Sequence, residues 1–343
     1  MSRKVHFLVI CKQDRIDDAG SNEALPRLPK EFADRATFTF ANSLEDFAKS
    51  PGAEKAEGVL WIPGGDSKLI APLFSQFESL KWLHSWAVGV NYVVPFVKET
   101  FMSRPELVFT NSRGSFSRAL AEWAILSAMY FERDIPRVQK GREEKKWDVH
   151  KMGELVGKTM GFVGFGDIAK TTARIAKFGF EMKILALRNT KPANPVPDEL
   201  ADDIFYSSDP DGKKKLFSQS DFIVCSLPNT PDTEKYCGAS EFAVMKPTGV
   251  FISVGRGTAV DEEALIGVLQ SGAIRGAALD VFYEEPLPKS SPIWDLSNVL
   301  LTAHCADWTD SFTDGAMSVF GKNLDAFVNG KEMVTPVNVE AGY

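Results

Sequence analysis

The stretch Met160-Gly-Phe-Val163 runs into Gly164, Phe165, Gly166, Asp167, Ile168 and Ala169, and then into Lys170-Thr-Thr-Ala-Arg-Ile-Ala-Lys177. An apolar strand pattern, a Gly-x-Gly-x-x-Ala turn and an amphipathic helix pattern follow one another directly. No other segment restricts the fold as strongly. Gly164 permits the tight turn, Gly166 lets the backbone approach a pyrophosphate, and the small Ala169 lets helix and strand pack closely. The free N–H groups and partial positive charge at the helix start suit phosphate. Alone, such a glycine turn is a weak signal. Its place between strand and helix makes a dinucleotide-binding βαβ unit the expectation.

The end of the next strand separates the two nicotinamide cofactors. An Asp or Glu about 20 residues past the glycines accepts from the ribose 2′-hydroxyl of NAD. Here the strand Met182–Leu187 ends in Arg188, Asn189, Thr190 and Lys191, and no acid is present. An arginine there pairs with a 2′-phosphate, and Asn189, Thr190 and Lys191 add hydrogen bonds or charge. NADPH is therefore expected over NADH. The competing interpretation is a solvated basic loop.

The rest of the chain agrees with this frame. At 343 residues it calls for two domains. In the first third, Val5–Ile10, Gly58–Ile62, Leu80–His84 and Leu107–Thr110 are expected strands, with helices such as Ser43–Ser50 and Ser67–Phe77 between them. A long helical pattern is expected from Ser115 to about Lys146, broken only by Pro136. A second series follows, with strands at Met160–Val163, Met182–Leu187, Phe222–Ser226, Val250–Val254, Gly276–Asp280 and Val299–Thr302. Ala169–Phe178, Glu262–Ser271 (with Gly272 as its C-terminal stop) and Ser311–Val328 are expected helices. Strands alternating with helices imply parallel sheets. The expected fold class is α/β, with two Rossmann-like, doubly wound parallel-sheet domains.

Acids outnumber bases 46 to 39, a poor start for a nucleic-acid binder. No apolar run approaches the roughly 20 residues of a membrane span. Cys11, Cys225, Cys237 and Cys305 are scattered, without a Cys-x-x-Cys pair, so neither a zinc site nor a disulfide framework is expected. With no recognisable address at either end, a cytoplasmic location is the expectation, without nucleic-acid or membrane partners and without a metal.

Proton transfer near neutral pH suits histidine, and only His6, His84, His150 and His304 exist. His6 lies in a strand, His150 in a polar linker, and His84 closes a strand. His304 follows Val299-Leu-Leu-Thr302, at the strand end where open α/β sheets bind ligands. Val254 closes a strand that leads to Arg256, and Asp280 closes another that leads to Glu285. Reducing a 2-keto acid needs an anion anchor, a proton donor and a carboxylate partner for that donor. Arg256, His304 and Glu285 supply these three, and a glutamate beside the imidazole raises its pKa.

Gly164–Ala169, Ser253-Val-Gly-Arg-Gly257, Ala278-Leu-Asp-Val-Phe-Tyr-Glu-Glu-Pro286 and Leu300-Leu-Thr-Ala-His304 together resemble the D-isomer-specific 2-hydroxyacid dehydrogenases, on the glyoxylate/hydroxypyruvate reductase-like branch. The order and spacing match over nearly the whole chain. The resemblance implies that Arg256 binds the substrate carboxylate and carbonyl, that His304 is the acid/base, and that Glu285 pairs with it. It places the nicotinamide carboxamide on Asp280. It implies cofactor contacts at Gly164, Phe165, Gly166, Asp167, Ile168, Arg188, Asn189, Val254 and Asp280. It makes Leu80–Asn91 the substrate loop, with the amides of Val88, Gly89 and Val90 holding the substrate carboxylate. It further implies a substrate domain of residues 1–117 plus 309–343, a dinucleotide-binding domain of 118–308, an active-site cleft between them, and a homodimer through the cofactor domain. The expected function is transfer of hydride from NADPH to a small 2-keto acid, giving a D-2-hydroxy acid. A formate dehydrogenase shares the fold but carries glutamine where Glu285 stands. A dinucleotide-sensing corepressor of the same fold is the alternative.

Some positions depart from the common pattern: Trp86 is bulky, Asn91 replaces a frequent aspartate, and Ala303-His304-Cys305-Ala306-Asp307 is unusual. Pro63-Gly-Gly-Asp66 offers no arginine for a phosphate group, which argues against a phosphorylated substrate.

Overall fold

The computed structural model describes residues 3–12, 21–189, 191 and 197–343. The chain gathers into two compact units, Met1–Phe116 with Trp308–Tyr343, and Ser117–Asp307.

The first unit holds β1 (Val5–Ile10), α1 (Ser21–Glu31), β2 (Ala36–Ala41), α2 (Leu44–Lys49), β3 (Gly58–Trp61), α3 (Ile70–Gln76), β4 (Trp82–Ser85), α4 (Val94–Ser103) and β5 (Val108–Asn111). Its sheet is parallel throughout, in the order β2-β1-β3-β4-β5. Parallel strands covered on both faces carry near-continuous apolar runs. Gly58–Trp61 and Trp82–Ser85 are buried along their whole length. Ile10, Val59, Leu83, Phe74 and Phe101 pack in one core cluster. Phe7 and Trp82 pack with Phe320 instead, at ring-centroid distances of 5.2 and 5.8 Å. Phe320 belongs to the chain's last helix and ties that segment to the first sheet.

The second unit holds α5 (Ser117–Glu132), α6 (Ile135–Glu143), β6 (Thr159–Val163), α7 (Asp167–Phe180), β7 (Lys183–Arg188), β8 (Asp203–Tyr206), α8 (Gly212–Gln219), β9 (Phe222–Cys225), α9 (Ala239–Phe242), β10 (Val250–Ser253), α10 (Glu262–Gln270), β11 (Gly276–Leu279) and β12 (Val299–Leu301). The chain then returns to the first unit as α11 (Phe312–Val328). The second sheet is also parallel, in the order β12-β11-β10-β9-β6-β7-β8. Strand order reverses between β6 and β9, and ligands bind beyond the strand ends at such a reversal. The loop Gly164–Ala169 leaves β6 at that point.

The expected helix from Ser115 to Lys146 is two helices. Asp134 adopts a left-handed φ of 51° and Pro136 enters the first turn of α6. Proline has no N–H to donate and is accommodated best in that first turn of a helix. The expected single helix Ser67–Phe77 is a short 3₁₀ turn, Ser67–Leu69, followed by α3. The other predicted elements agree to within a residue or two, and Gly272 has the positive φ of 66° expected of a helix stop. None of the four cysteines forms a disulfide, and only Cys305 is exposed. No described helix is long and apolar enough to cross a membrane.

Candidate active site

The phosphate loop is built by steric demands that differ from glycine to glycine. Gly164 has φ +84°, and a Cβ there would lie 2.9 Å from Leu227 Cδ2. Gly255 and Gly257 are excluded from carrying a Cβ by backbone, 2.5 Å from Leu227 O and 1.8 Å from Phe282 O. Gly166 is different: a Cβ there would meet no protein atom within 4 Å. Protein packing does not require glycine at 166, so the open space beside it is room for a ligand's approach. Gly166 caps α7 without a side-chain hydrogen bond, leaving that helix start able to donate to an anion. α7 buries the small residues Ala169, Thr172, Ala173 and Ala176 and packs closely against α5 as well as touching β6 and β7. A dinucleotide pyrophosphate fits this loop, with Phe165, Asp167 and Ile168 around it.

Arg188 ends β7 as the sequence predicts. Its guanidinium lies 5.7 Å from the centroid of the Phe165 ring, and Nη2 donates to Asp198 Oδ2 at 2.6 Å. The acid that is missing directly after the strand comes from ten positions farther along, and sequence reading did not find it. Asn189 follows it, and its carbonyl accepts from Ser208 N–H at 3.2 Å. Lys191 has Nζ 5.9 Å from the Tyr206 ring centroid, while Thr190 lies outside the described residues.

Strand ends of the second sheet bring the remaining groups together. Val254 follows β10, is buried, and donates its N–H to Cys225 O at 3.0 Å. Arg256 has extended backbone and donates from Nη1 to Gly255 O at 2.8 Å. Asp280 follows β11 and is 1% exposed. Its Oδ1 accepts from Thr302 Oγ1 at 2.6 Å, Cys305 N–H at 3.0 Å and Ala306 N–H at 3.1 Å. Its backbone carbonyl accepts from His304 N–H at 2.8 Å. Four hydrogen bonds from one residue thus shape the loop that carries His304. His304 itself sits at a left-handed φ of 50°, a conformation that costs energy for a non-glycine residue and needs such support.

His304 Nδ1 lies 2.7 Å from Glu285 Oε2, and Glu285 Oε1 accepts from Phe282 N–H at 3.0 Å. The pair explains two opposite shifts. The hydrogen bond to Glu285 raises the His304 pKa above its ordinary value, against the opposing pull of burial. Burial pushes Glu285 upward, but hydrogen bonds from His304 and from Phe282 N–H, with the charges of His304 and Arg256, hold it below the ordinary carboxylate range. Nδ1 is committed to Glu285, so Nε2 is the ring nitrogen available for proton delivery. Asp307, three residues after His304, is held above its ordinary pKa by burial.

The other histidines are placed elsewhere. His84 is fully buried in β4 with Nδ1 2.7 Å from Thr110 Oγ1, and burial lowers its pKa to about 3. His6 lies between Thr37 and Thr39, with its pKa lowered by burial. His150 Nδ1 is 3.0 Å from Asp148 O. Val88, Gly89 and Val90 belong to the first unit, in the turn after β4. That turn is fixed through its carbonyls: Asn111 Nδ2 donates to Val88 O at 2.8 Å, and Val90 O accepts from Val93 and Val94 N–H. Trp86, flagged as bulky for a substrate loop, is fully buried and belongs to the core.

Known proteins share this layout. The D-isomer specific 2-hydroxyacid dehydrogenase NAD binding domain matches residues 125–306. The chain is 39% identical over 289 residues to glyoxylate/hydroxypyruvate reductase B of Shigella boydii serotype 4, covering 83% of this chain and 85% of that protein. It is 32% identical over 277 residues to the glyoxylate reductase of Thermococcus gammatolerans, covering 78% and 79%. The solved NADPH-dependent glyoxylate/hydroxypyruvate reductase of Sinorhizobium meliloti, in complex with NADP and malonate, aligns with a TM-score of 0.70 at 25% identity over 98% of each chain. The chain belongs to the D-isomer specific 2-hydroxyacid dehydrogenase family, the NAD(P)-dependent oxidoreductases of 2-keto and 2-hydroxy acids.

Proposed function

We propose that this protein reduces a small, unphosphorylated 2-keto acid, glyoxylate or hydroxypyruvate foremost, to the D-2-hydroxy acid, with NADPH as the preferred cofactor. The observation that carries this reading is the 2.7 Å contact between His304 Nδ1 and Glu285 Oε2 at the end of the second sheet. The pair keeps the imidazole protonated to higher pH than a lone histidine, which is what a proton donor to a developing alkoxide needs.

The nicotinamide, when bound, supplies the hydride. The chain's own residues do the rest. Gly164–Ile168 and the start of α7 would hold the cofactor's pyrophosphate, Arg188 with Asn189 its 2′-phosphate, and Val254 and Asp280 its nicotinamide end, Asp280 through the carboxamide. Arg256 anchors the substrate carboxylate and polarises its carbonyl with a planar guanidinium. His304 delivers its proton from Nε2, and Glu285 stabilises the imidazolium until it does. The amides of Val88, Gly89 and Val90 hold the substrate carboxylate, making the first unit the substrate domain and the second the cofactor domain.

The relatives and the sequence support the proposed size and charge of the substrate. The Shigella and Thermococcus proteins are named for glyoxylate or hydroxypyruvate, and Pro63–Asp66 offers no arginine for a phosphate. The Sinorhizobium enzyme is NADPH-dependent, and Arg188 supports the same cofactor here. We also propose a cytoplasmic homodimer formed through the second unit, where Leu126, Trp147 and Val149 are exposed at 57%, 93% and 82%, apolar surface of the kind a second copy covers.

The test is a panel of initial rates with glyoxylate, hydroxypyruvate, pyruvate and larger keto acids, each with NADPH and NADH. Turnover with small keto acids and a higher kcat/KM for NADPH is expected. An absence of turnover with every keto acid, under conditions where the Shigella enzyme is active, would overturn the reading.

A further inference from the structure

Arg188 is not a solitary cation waiting for a phosphate. Its Nη2 donates to Asp198 Oδ2 at 2.6 Å, and Lys170 Nζ, near the start of α7, lies 3.8 Å from the same oxygen. Asp198 is held in place from its other oxygen, where Oδ1 accepts from Leu200 N–H at 3.1 Å. The Asp198 side chain is 15% exposed and that of Arg188 32%. The guanidinium also faces the Phe165 ring of the phosphate loop. A carboxylate therefore bridges two cations at the end of β7, the place where a dinucleotide-binding sheet meets the adenosine ribose.

We propose that Asp198 is a specificity-determining residue for the cofactor: it is the internal counter-ion of Arg188 and Lys170, and it narrows the margin between NADPH and NADH. The inference rests on the dinucleotide reading of the Gly164–Ile168 loop. A 2′-phosphate has to take over Arg188 and Lys170 while a fixed negative charge stays beside them. Asp198 itself is largely buried, while the side chains of Arg188 and Lys170 are 32% and 48% exposed, so salt and water weaken that repulsion without cancelling it. A 2′-hydroxyl meets the opposite situation, because a carboxylate there can accept its proton in a hydrogen bond, the role an acid has in NAD-specific sites. One residue thus disfavours the phosphorylated ribose and favours the plain one, although the strand itself ends in arginine.

The experiment compares adenosine 2′,5′-bisphosphate with 5′-AMP, which differ only in the 2′-phosphate, by calorimetric titration of the full chain. Asp198→Asn keeps the shape and the oxygen that serves Leu200 N–H while removing the charge. The variant should shift the ratio of the two dissociation constants toward the bisphosphate by at least about fivefold, the scale of one well-placed ion-pair interaction. The ratio of kcat/KM for NADPH to that for NADH, with a keto acid held fixed, should move in the same direction. In an Arg188→Ala background the shift should shrink to less than about twofold, because the two residues act on one interaction. Asp198→Ser is read in the same way should the asparagine variant fail to fold. A folded variant whose ratio stays within about twofold of wild type, the behaviour of an inconsequential surface ion pair, overturns this inference alone. A wild-type chain that binds neither nucleotide nor NADPH overturns the dinucleotide reading, and this inference with it.

Discussion

Asp280 Oδ1 receives three hydrogen bonds, and the two from Cys305 and Ala306 N–H come from the residues directly after His304. His304 therefore does not stand on a free loop. Its backbone is wrapped around a buried carboxylate on the neighbouring strand end, and its ring is held by a second carboxylate, Glu285. One acid fixes position and the other fixes protonation, so perturbing each should have a different kinetic signature.

The Glu285–His304 pair makes a signed prediction about pH. His304 has a raised pKa because of Glu285, and the proposed reduction uses the imidazolium. Rate should fall as pH rises through that raised pKa. Glu285→Gln removes the carboxylate charge, lowers the His304 pKa and should move the alkaline limb of the profile to lower pH. His304→Ala should reduce kcat by roughly 10²–10⁴-fold, the usual weight of general acid catalysis, with NADPH binding retained. The pH–rate profiles of both variants check this. A Glu285→Gln profile superimposable on wild type would remove the pair from the mechanism.

Arg256→Lys tests the anchor. Lysine keeps the charge but loses the planar two-pronged donor. KM for the keto acid should rise and kcat should fall, while the dissociation constant of NADPH, measured by fluorescence titration, stays close to wild type. Unchanged KM and kcat would count against the assignment.

The glycines separate structural from functional demand. Gly257→Ala would push a Cβ to 1.8 Å from a backbone oxygen, and backbone cannot step aside cheaply. That variant should lose several kcal/mol of stability, above the ~1 kcal/mol of an average substitution, and melt well below wild type. Gly166→Ala meets nothing within 4 Å and should melt near wild type, yet bind NADPH at least about tenfold more weakly if the pyrophosphate passes there. Thermal melts paired with cofactor titration distinguish the two. Normal cofactor binding by Gly166→Ala would contradict the proposed phosphate site.

These contrasts mark what could be read from sequence and what could not. The Gly164–Ala169 loop was legible because the chemistry demands small residues at fixed spacing. His304 was legible because three of the four histidines fall in strands or a linker. Glu285 was legible through its spacing from the strand end and its place before Pro286. Asp198 was not, since its partner Arg188 lies ten positions earlier in the chain and no local motif joins them. The holding role of Asp280 was hidden for another reason: three of its four donors in that loop are backbone N–H groups, which every residue carries. Local patterns also missed α1, which contains Pro26 and Pro29, and the edge strands β2 and β8, where Thr, Asp and Tyr interrupt the apolar run. Elements of that kind are fixed by their sheet neighbours more than by their own propensities.

The support beneath His304 can be tested through Thr302, which bonds Asp280 rather than His304 itself. Its hydroxyl donates to Asp280 Oδ1 at 2.6 Å, a short bond to a buried charged group. Removing such a donor leaves the carboxylate less well solvated, at a cost of about 1.5–3 kcal/mol. Thr302→Val keeps the side-chain shape and removes only that donor. The Asp280 carboxylate then keeps the bonds from Cys305 and Ala306 N–H without the hydroxyl, and the left-handed turn at His304 loosens. Losing even part of the alignment should lower kcat about three- to tenfold, since small misplacements of a reacting group are costly. The KM for keto acid should change little, because Arg256 is untouched. Thr302→Ser restores the hydroxyl and should recover kcat to within about twofold of wild type, the signature of a lost hydrogen bond rather than lost packing. The measurement is kcat and KM for the three proteins side by side, with a melt to confirm folding. A Thr302→Val enzyme that turns over as fast as wild type would show that Asp280 keeps the His304 loop in place without the hydroxyl.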